Sequence, residues 1–158
     1  MNWALSVDGV GGAKCIPLWN GAGTVKVVIT NASGETAPAS LVTATKTYIE
    51  TVRPVGASVT VVSATAKTIN VKAKITLKSG YTITNVKAAI VAAITDYLRN
   101  FRLSGTAVSY ARIGAIILGV DGVDDYSDLR TGTGTGTTWG TSNIAIATDE
   151  VPVMGDFT

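Results

Sequence analysis

The sequence predicts an α+β fold of two small units, each with a mixed or antiparallel sheet packed on helices. Apolar residues alternate with polar ones over Ile69–Leu77, which is the period of a half-buried strand. The segment that follows, residues 84–103, carries apolar residues at helical spacing. The four residues VDGV occur at Val7–Val10 and again at Val120–Val123. This repeat suggests that one architectural element is used twice.

The composition is that of a chain with a buried core and no membrane-spanning segment. Of 158 residues, 46% are apolar and 15% are charged, a balance that allows a buried core and is not that of a disordered chain. The longest apolar stretch, AVSYARIGAIILGV, falls short of the roughly 20 residues that cross a bilayer. No basic segment followed by an apolar one marks the amino terminus. We therefore expect no signal peptide, no membrane insertion and synthesis in the cytoplasm.

The basic residues are dispersed, which argues against nucleic acid as a partner. The formal net charge is +2, and Lys and Arg are spread along the chain. Proteins that bind nucleic acid usually carry a concentrated basic stripe. The nearest approach to such a stripe is a set of four lysines along a predicted strand: Lys67, Lys72, Lys74 and Lys78. The solvated face of a half-buried sheet explains these lysines better.

Residue types that carry most enzyme chemistry are missing or isolated. The chain has no histidine and one cysteine, Cys15, which excludes Ser-His and Cys-His pairs, imidazole ligands and an internal disulfide. Four carboxylates lie close in sequence, but their spacing does not match the calcium loop of an EF-hand: Asp121, Asp124, Asp125 and Asp128. Turns and one charged strand face explain them better. We expect no catalytic residue, cofactor or metal site, and a packed core position for Cys15.

Apolar segments separated by turn residues define the first predicted unit, residues 1–53. The β-branched stretch GTVKVVIT at residues 23–30 predicts a strand, after the extended GGAKCIPLW. The segment ASLVTATKTYIETV predicts a helix with Ser40 as its N-cap. Pro54 predicts that this helix ends near Val52.

The second predicted unit, residues 58–158, has the order strand, strand, helix, helix, strand, strand. Its strands begin with SVTVVS and the alternating segment already described. The first helix spans about residues 84–103 and is closed by Gly105, and the second has Ser109 as its N-cap. The stretches DDYSDLR and NIAIATDEVPVMGDFT predict the last strands, with Pro152 at an edge or a bend.

The low-complexity loop TGTGTGTTWGTSN, residues 131–143, invites a ligand-binding hypothesis. Phosphate-binding loops need glycines in a fixed frame, and no glycine-rich stretch of this chain matches the P-loop or dinucleotide pattern. A mobile connector or hairpin tip explains the loop better. Trp139 in its middle is either an anchor for a partner or a side chain folded back onto the core.

Four stretches in a fixed order resemble the carboxyl-terminal part of the baseplate J-like family, whose members form baseplate wedges in contractile-tailed phages and related particles. They are VDGVGGAKCIPLWNGAGTVKVVI, LVTATKTYIETVRPVGASVTVVSAT, SYARIGAIILGVDGVDDYSDL and NIAIATDEVPVMGDFT. The most specific element is RPVGA, residues 53–57. The resemblance covers nearly the whole chain, although a sizeable amino-terminal part of the family pattern has no counterpart in it.

The resemblance gives the VDGV repeat an architectural meaning, in which each copy turns the chain from a helix into a strand. We expect Gly9 and Gly122 to supply the backbone freedom of these turns, and Asp8 and Asp121 to cap or bend them. The first copy should then follow a helix, for which Met1–Ser6 are the residues present. We expect from this that the chain begins inside a structural unit whose helix another segment or a partner completes.

The resemblance implies a structural, non-enzymatic component of a phage or prophage-derived tail baseplate. Its partners would be other baseplate proteins and copies of itself, in an oligomeric particle assembled in the host cytoplasm and then part of the virion. Arg53, Pro54 and Gly56 would form the junction between the two units. The alternative is a non-catalytic module that binds a carbohydrate or cell-surface ligand through the Gly/Thr loop and Trp139.

Overall fold

The computed structural model describes residues 2–135 and 138–158, so Gly136 and Thr137 of the predicted loop lie outside the described residues. The helices and strands follow one another as α1 (Asn2–Leu5), β1 (Val10–Pro17), β2 (Thr24–Asn31), α2 (Ala39–Val52), β3 (Ser58–Ser63), β4 (Thr65–Leu77), α3 (Ile83–Leu98), β5 (Ala107–Val108), α4 (Tyr110–Leu118), β6 (Val123–Thr133), β7 (Ile144–Ala145) and β8 (Glu150–Phe157). The predicted α+β class is confirmed.

Each of the two main sheets has a central strand with one antiparallel and one parallel neighbour. In the first sheet, β2 runs antiparallel to β1 and parallel to β3. In the second sheet, β4 runs antiparallel to β6 and parallel to β8. Parallel neighbours cannot be joined by a tight turn, so the chain must cross one face of the sheet between them. Helix α2 lies in the first crossover, and α3 and α4 lie in the second.

Two apolar cores lie between the helices and one face of each sheet. The larger core joins α3 and α4 to the second sheet, and the predicted stripe of α3 is buried in it: Val86, Ile90, Ile94 and Leu98. The smaller core joins α1 and α2 to the first sheet through Ala4, Val27, Ile29, Ile49 and Val61. The period-2 pattern of β4 is also confirmed, since Ile69 and Val71 are fully buried while Lys72 and Lys74 are exposed.

Strand β2 is buried on both faces because the second unit covers the back of the first sheet. Val27 and Ile29 face the first core, whereas Val28 points to the other face and joins a cluster with Ala64, Leu103 and Val151. All three β2 residues are at most 5% exposed. A strand covered on both faces has a continuous apolar run instead of an alternating one, as the sequence VVI shows.

The chain passes from the first sheet to the second at Ala64, later than the sequence-based boundary. The strand at residues 58–63 was expected to open the second unit, but it pairs with β2 from Thr24–Ser58 to Ile29–Ser63. Ala64 alone separates it from β4, which lies in the other sheet. This corrects the placement of β3, whose own pattern does not specify its partner.

The first helix of the second unit is shorter than expected. It ends at Leu98, with a 3-10 turn at Arg99–Phe101, and the expectation that it continues to residue 103 and is closed by Gly105 is wrong. Leu103 has a positive φ of 52° and is buried in the cluster between the units. The helix must end before Leu103 because that side chain is needed at the contact with the first sheet.

The other element boundaries lie close to the predicted ones. Helix α2 begins at Ala39 with Pro38 as its N-cap, so the expected cap at Ser40 is wrong by two positions. Ser109 is the N-cap of α4 as predicted, and its Oγ accepts a hydrogen bond from the Arg112 backbone N–H at 3.3 Å. Pro152 lies in β8, an edge strand, where a missing N–H is tolerated.

The two VDGV segments form the same turn between a helix and a strand. The Val10 N–H donates to the Val7 carbonyl at 3.1 Å, and the Val123 N–H donates to the Val120 carbonyl at 3.1 Å. Gly9 and Gly122 both have φ of 93°, the positive value that favours glycine in the third position of a type II turn. Asp8 and Asp121 occupy the exposed second position, and a capping role for them stays a prediction.

The two units share one arrangement of elements in a different chain order. A helix and a VDGV turn lead into an edge strand in both, α1 into β1 and α4 into β6. In each sheet, that edge strand is antiparallel to the central strand, and the third strand is parallel to the central strand. The chain enters the first unit at the helix before the edge strand and the second unit at the central strand, so the arrangement is permuted.

Replacing Gly122 with alanine should destabilise the protein more than replacing Gly9. Each change places a side chain at a positive φ, which costs about 1–2 kcal/mol. A Cβ on Gly122 would also overlap the ring of Tyr81, whereas a Cβ on Gly9 would lie 3.4 Å from Leu41 Cδ1, an ordinary contact. Urea denaturation should therefore show a larger loss for Gly122→Ala, and adding Tyr81→Ala should remove the difference. Equal losses at the two turns would contradict the contact with Tyr81.

Candidate interaction surfaces

The contact between the two units combines the apolar cluster around Val28 with polar links at its margin. The Lys26 Nζ and an Asp149 carboxylate oxygen form an ion pair at 3.3 Å across the contact. The Ala64 N–H donates to the Ile29 carbonyl at 2.8 Å, which holds the chain where it leaves the first sheet. Both sheets are therefore held directly against one another and do not depend on a linker for their relative position.

Arg102 fastens the second unit to the turn that follows β2. Its guanidinium donates to the Ser33 carbonyl and lies against Gly34, where any Cβ would overlap it. Burial lowers the pKa of Arg102 from its usual value, the Arg99 guanidinium lowers it further, and Glu35 acts in the opposite direction. The usual pKa of arginine is so far above neutrality that the side chain keeps its charge. The guanidinium is therefore a structural clamp between the units.

The turn predicted as the inter-unit junction lies inside the first unit, between α2 and β3. The Arg53 guanidinium donates to the Ala57 carbonyl and pairs with the Glu50 carboxylate, which closes the turn on itself. Pro54 and Gly56 lie within this turn, and Gly56 has a φ of 94°. Because β3 pairs with β2 in the first sheet, this turn does not join the two units, and the prediction that it is their junction is wrong.

Exposed apolar side chains collect at the end of the first sheet where this turn lies. The Ser58 N–H donates to the Gly23 carbonyl at 2.8 Å, so the turn lies beside the β1–β2 hairpin tip. Leu18 and Trp19 at the tip are 67% and 44% exposed, and Val55 is fully exposed. These three residues are called the end patch below. Exposed apolar groups that lie near one another often mark a surface for a partner.

The end patch shows what sequence reasoning missed. Leu18 and Val55 do not stand out in the sequence, because an apolar residue between turn residues does not reveal whether it is buried. A signal was present in PLWNGAG and RPVGA, in which large apolar residues stand inside turns where polar residues are usual. The fold brings these two stretches to the same end of one sheet.

An apolar pocket of about 290 Å³ lies between α1, the C-terminal end of α2 and the first sheet. Cys15, expected to be a packed core residue, is half-buried at the margin of the first core and lines this pocket. The lining is almost wholly carbon, and its other members are Trp3, Ala4, Val25, Val27, Ile49, Arg53, Pro54, Ala57 and Val59.

Trp139 lies against the outer face of the second sheet, and the loop that carries it is tied at both ends. Thr131 and Gly140 exchange two backbone hydrogen bonds of 2.9 Å, and the Asn70 Nδ2 donates to the Gly134 carbonyl at 2.9 Å. Trp139 is 36% exposed, so it is partly folded back. It lines an open surface depression of about 370 Å³ together with Lys72, Asp128 and Arg130.

The charged clusters noted in the sequence form solvated surface. Asp121, Asp124, Asp125 and Asp128 are all exposed, and no group of His, Cys, Asp or Glu within residues 2–135 and 138–158 could hold a metal ion. Lys67 pairs with Glu150 at 3.1 Å, while the later lysines of the strand are exposed. None of the helices in the described part of the chain is long and apolar enough to span a membrane.

Two family models match consecutive parts of the chain. The model of the Baseplate J-like central domain matches residues 1–63, and that of the Baseplate J-like protein C-terminal domain matches residues 69–158. The chain belongs to the baseplate J-like family. The first match ends with β3, where the chain leaves the first sheet.

Relatives share the sequence along most of this chain. The phage-like element PBSX protein XkdT of Bacillus subtilis (strain 168) is 35% identical over 161 residues, which cover 97% of this chain and 44% of XkdT. The baseplate protein gp47 of Escherichia phage Mu is 33% identical over 138 residues, 80% of this chain and 37% of gp47. The chain therefore spans less than half the length of these relatives.

The fold also matches a solved structure. A chain in the cryo-EM structure of the anti-feeding prophage (AFP) baseplate aligns with a TM-score of 0.69 over 98% of this chain and 35% of that chain. The sequence identity is 10%, so this similarity concerns the fold alone.

Removing the Arg102 side chain should weaken the contact between the units. Arg102→Ala should lower the free energy of unfolding by about 0.5–1.5 kcal/mol, since the Ser33 carbonyl loses a charged donor. Arg99→Ala is the matched control, because Arg99 forms an exposed ion pair with Asp96, and the change should stay within about 0.5 kcal/mol. Chemical denaturation measures both. Equal effects would show that Arg102 does not act as a clamp.

Proposed function

We propose that this chain is a structural component of the tail baseplate of a phage or prophage-derived particle and that it has no catalytic role. Family membership along both units carries the proposal. The name of the Mu relative and the fold match to a prophage baseplate support it. The relatives are more than twice as long as this chain. That this chain has the same function as the whole relatives is therefore part of the proposal.

The proposed role is assembly of the baseplate wedge or ring by contacts between subunits. Such a role needs a rigid body with accessible binding surfaces, and the direct contact of the two sheets supplies rigidity. The edge strands of the sheets can accept a strand from another chain. The end patch of Leu18, Trp19 and Val55 offers an apolar surface at one end of the body.

The proposed partners are other baseplate proteins and further copies of this chain, in an oligomer that is assembled in the host cytoplasm and carried in the virion. Membrane insertion and nucleic-acid binding are not part of the proposal. The depression around Trp139 is a second proposed contact, on the other unit from the end patch. Two contact sites on one rigid body allow a subunit to link two neighbours.

The proposal predicts that this chain is found at the baseplate of tailed particles. Immunogold electron microscopy with an antibody against the chain should label the baseplate end of particles released after prophage induction. Intact tailed particles that never label, with the antigen found elsewhere in the cell, would overturn the proposal.

A surface variant connects the same experiment to the end patch. Val55→Asp places a carboxylate at a fully exposed position, so the free energy of unfolding should change by less than about 0.5 kcal/mol. Labelling of particles made with this variant should nevertheless fall about tenfold, because a charge in an apolar contact is costly. Ile83→Asp is the control, since Ile83 is a 52% exposed apolar residue in the other unit. Equal labelling with both variants would remove the end patch from the proposed contacts.

The alternative function, binding of a carbohydrate or cell-surface ligand, rests on the depression beside Trp139. Calcium or glycan titration followed by tryptophan fluorescence tests it, and we expect no saturable change. A saturable change that disappears in Trp139→Ala, but persists in Trp19→Ala, would favour the alternative. Trp19 is a suitable control because it has similar exposure, 44%, in the other unit.

A further inference from the structure

The permuted arrangement allows the two units to be compared position by position. In the second unit, α4 covers the edge strand with Ile113 and Ile117, both fully buried. Its first turn reaches well along β6, because the Tyr110 hydroxyl donates to the Leu129 carbonyl at 2.7 Å. The second unit thus shows how far the helix before a VDGV turn extends when it covers its sheet.

In the first unit, the corresponding helix has a single turn. Ala4 takes the place of Ile117: the Ala4 carbonyl accepts from the Val7 N–H at 3.3 Å, and the Ile117 carbonyl accepts from the Val120 N–H at 3.2 Å. Ala4 is also buried, at 2% exposure. The residue that corresponds to Ile113 would lie one turn earlier than Ala4 on the same helix face.

The apolar pocket lies where that residue would project. Helix α1 and strand β1 are joined by a tight turn, so the amino end of α1 points toward the carboxyl end of β1. The pocket is lined there by Cys15 of β1, by Val25 at the start of β2 and by Val59 of β3. The position in β1 that corresponds to Leu129 is Cys15, because β6 carries one extra residue at its bulge between Ser127 and Arg130, and both side chains face the core of their own unit.

We propose that this pocket receives an apolar side chain from a helical segment collinear with α1, in the place that Ile113 takes in the second unit. Such a segment would be carried ahead of Asn2 by a longer chain, and the relatives are more than twice as long as this one. A carbon-lined space of about 290 Å³ has room for a branched aliphatic side chain. This inference is independent of the proposed baseplate function.

A chain extended with the protein's own helix sequence tests the proposal. Ser-Tyr-Ala-Arg-Ile, the sequence of residues 109–113, is placed directly before Met1, so that its Ile stands four residues before Ala4 as Ile113 stands before Ile117. The melting temperature should rise by about 4 °C or more, because an apolar side chain is removed from water. The reaction of Cys15 with a thiol reagent should slow about tenfold, and the signal is specific because Cys15 is the single cysteine.

The matched control carries Asp in place of the Ile in the extension. It should leave the melting temperature and the Cys15 reaction rate close to those of the unextended chain, because a charge is excluded from the apolar pocket. Equal values for the Ile and Asp extensions would overturn the proposal. So would a Cys15 rate in the unextended chain that falls with protein concentration as a dimer forms in sedimentation, since a second copy would then be the occupant.

Discussion

Both units depend on one constraint, a central strand whose two neighbours run in opposite directions. The antiparallel neighbour can follow directly through a hairpin, as β1 and β2 do, but the parallel neighbour requires a crossover over one face of the sheet. The helices of each crossover cover that face and form the core. The opposite face of the first sheet is then free to receive the second unit, so Val28 becomes as deeply buried as Ile29.

The contact through the back of the sheet has a mechanical consequence. Because the cluster around Val28 joins the sheets directly, with Arg102 at its margin, displacement of one unit would expose a buried strand face. Exposing apolar surface costs about 25 cal/mol per Å². Under the proposed function, a partner at the end patch of the first unit would be held in a fixed position relative to a partner beside Trp139 on the second.

Local periodicity predicted the helices and strands whose apolar spacing depends only on residues nearby in the sequence. The alternation of β4 and the stripe of α3 are of this kind, and both are present. The partner of β3 could not be predicted, because SVTVVS fits the edge of either sheet equally well. The end of α3 was missed because apolar residues at helical spacing continue as far as Phe101, whereas the chain leaves the helix so that the Leu103 side chain lies between the units. For Trp139 and the end patch, exposure depends on how distant segments pack, which no local pattern contains.

The permuted order explains why so little of the internal similarity survives in the sequence. Corresponding elements follow one another differently in the two units, so no repeat of fixed period can be found. Core positions also diverge, because the two cores differ in size: Ala4 stands where the other unit has Ile117. Fewer residue types fit the third position of the turn, because at a φ of 93° glycine is favoured over every residue with a side chain. The glycine of VDGV is therefore kept in both turns because backbone geometry restricts residue choice there more tightly than core packing does.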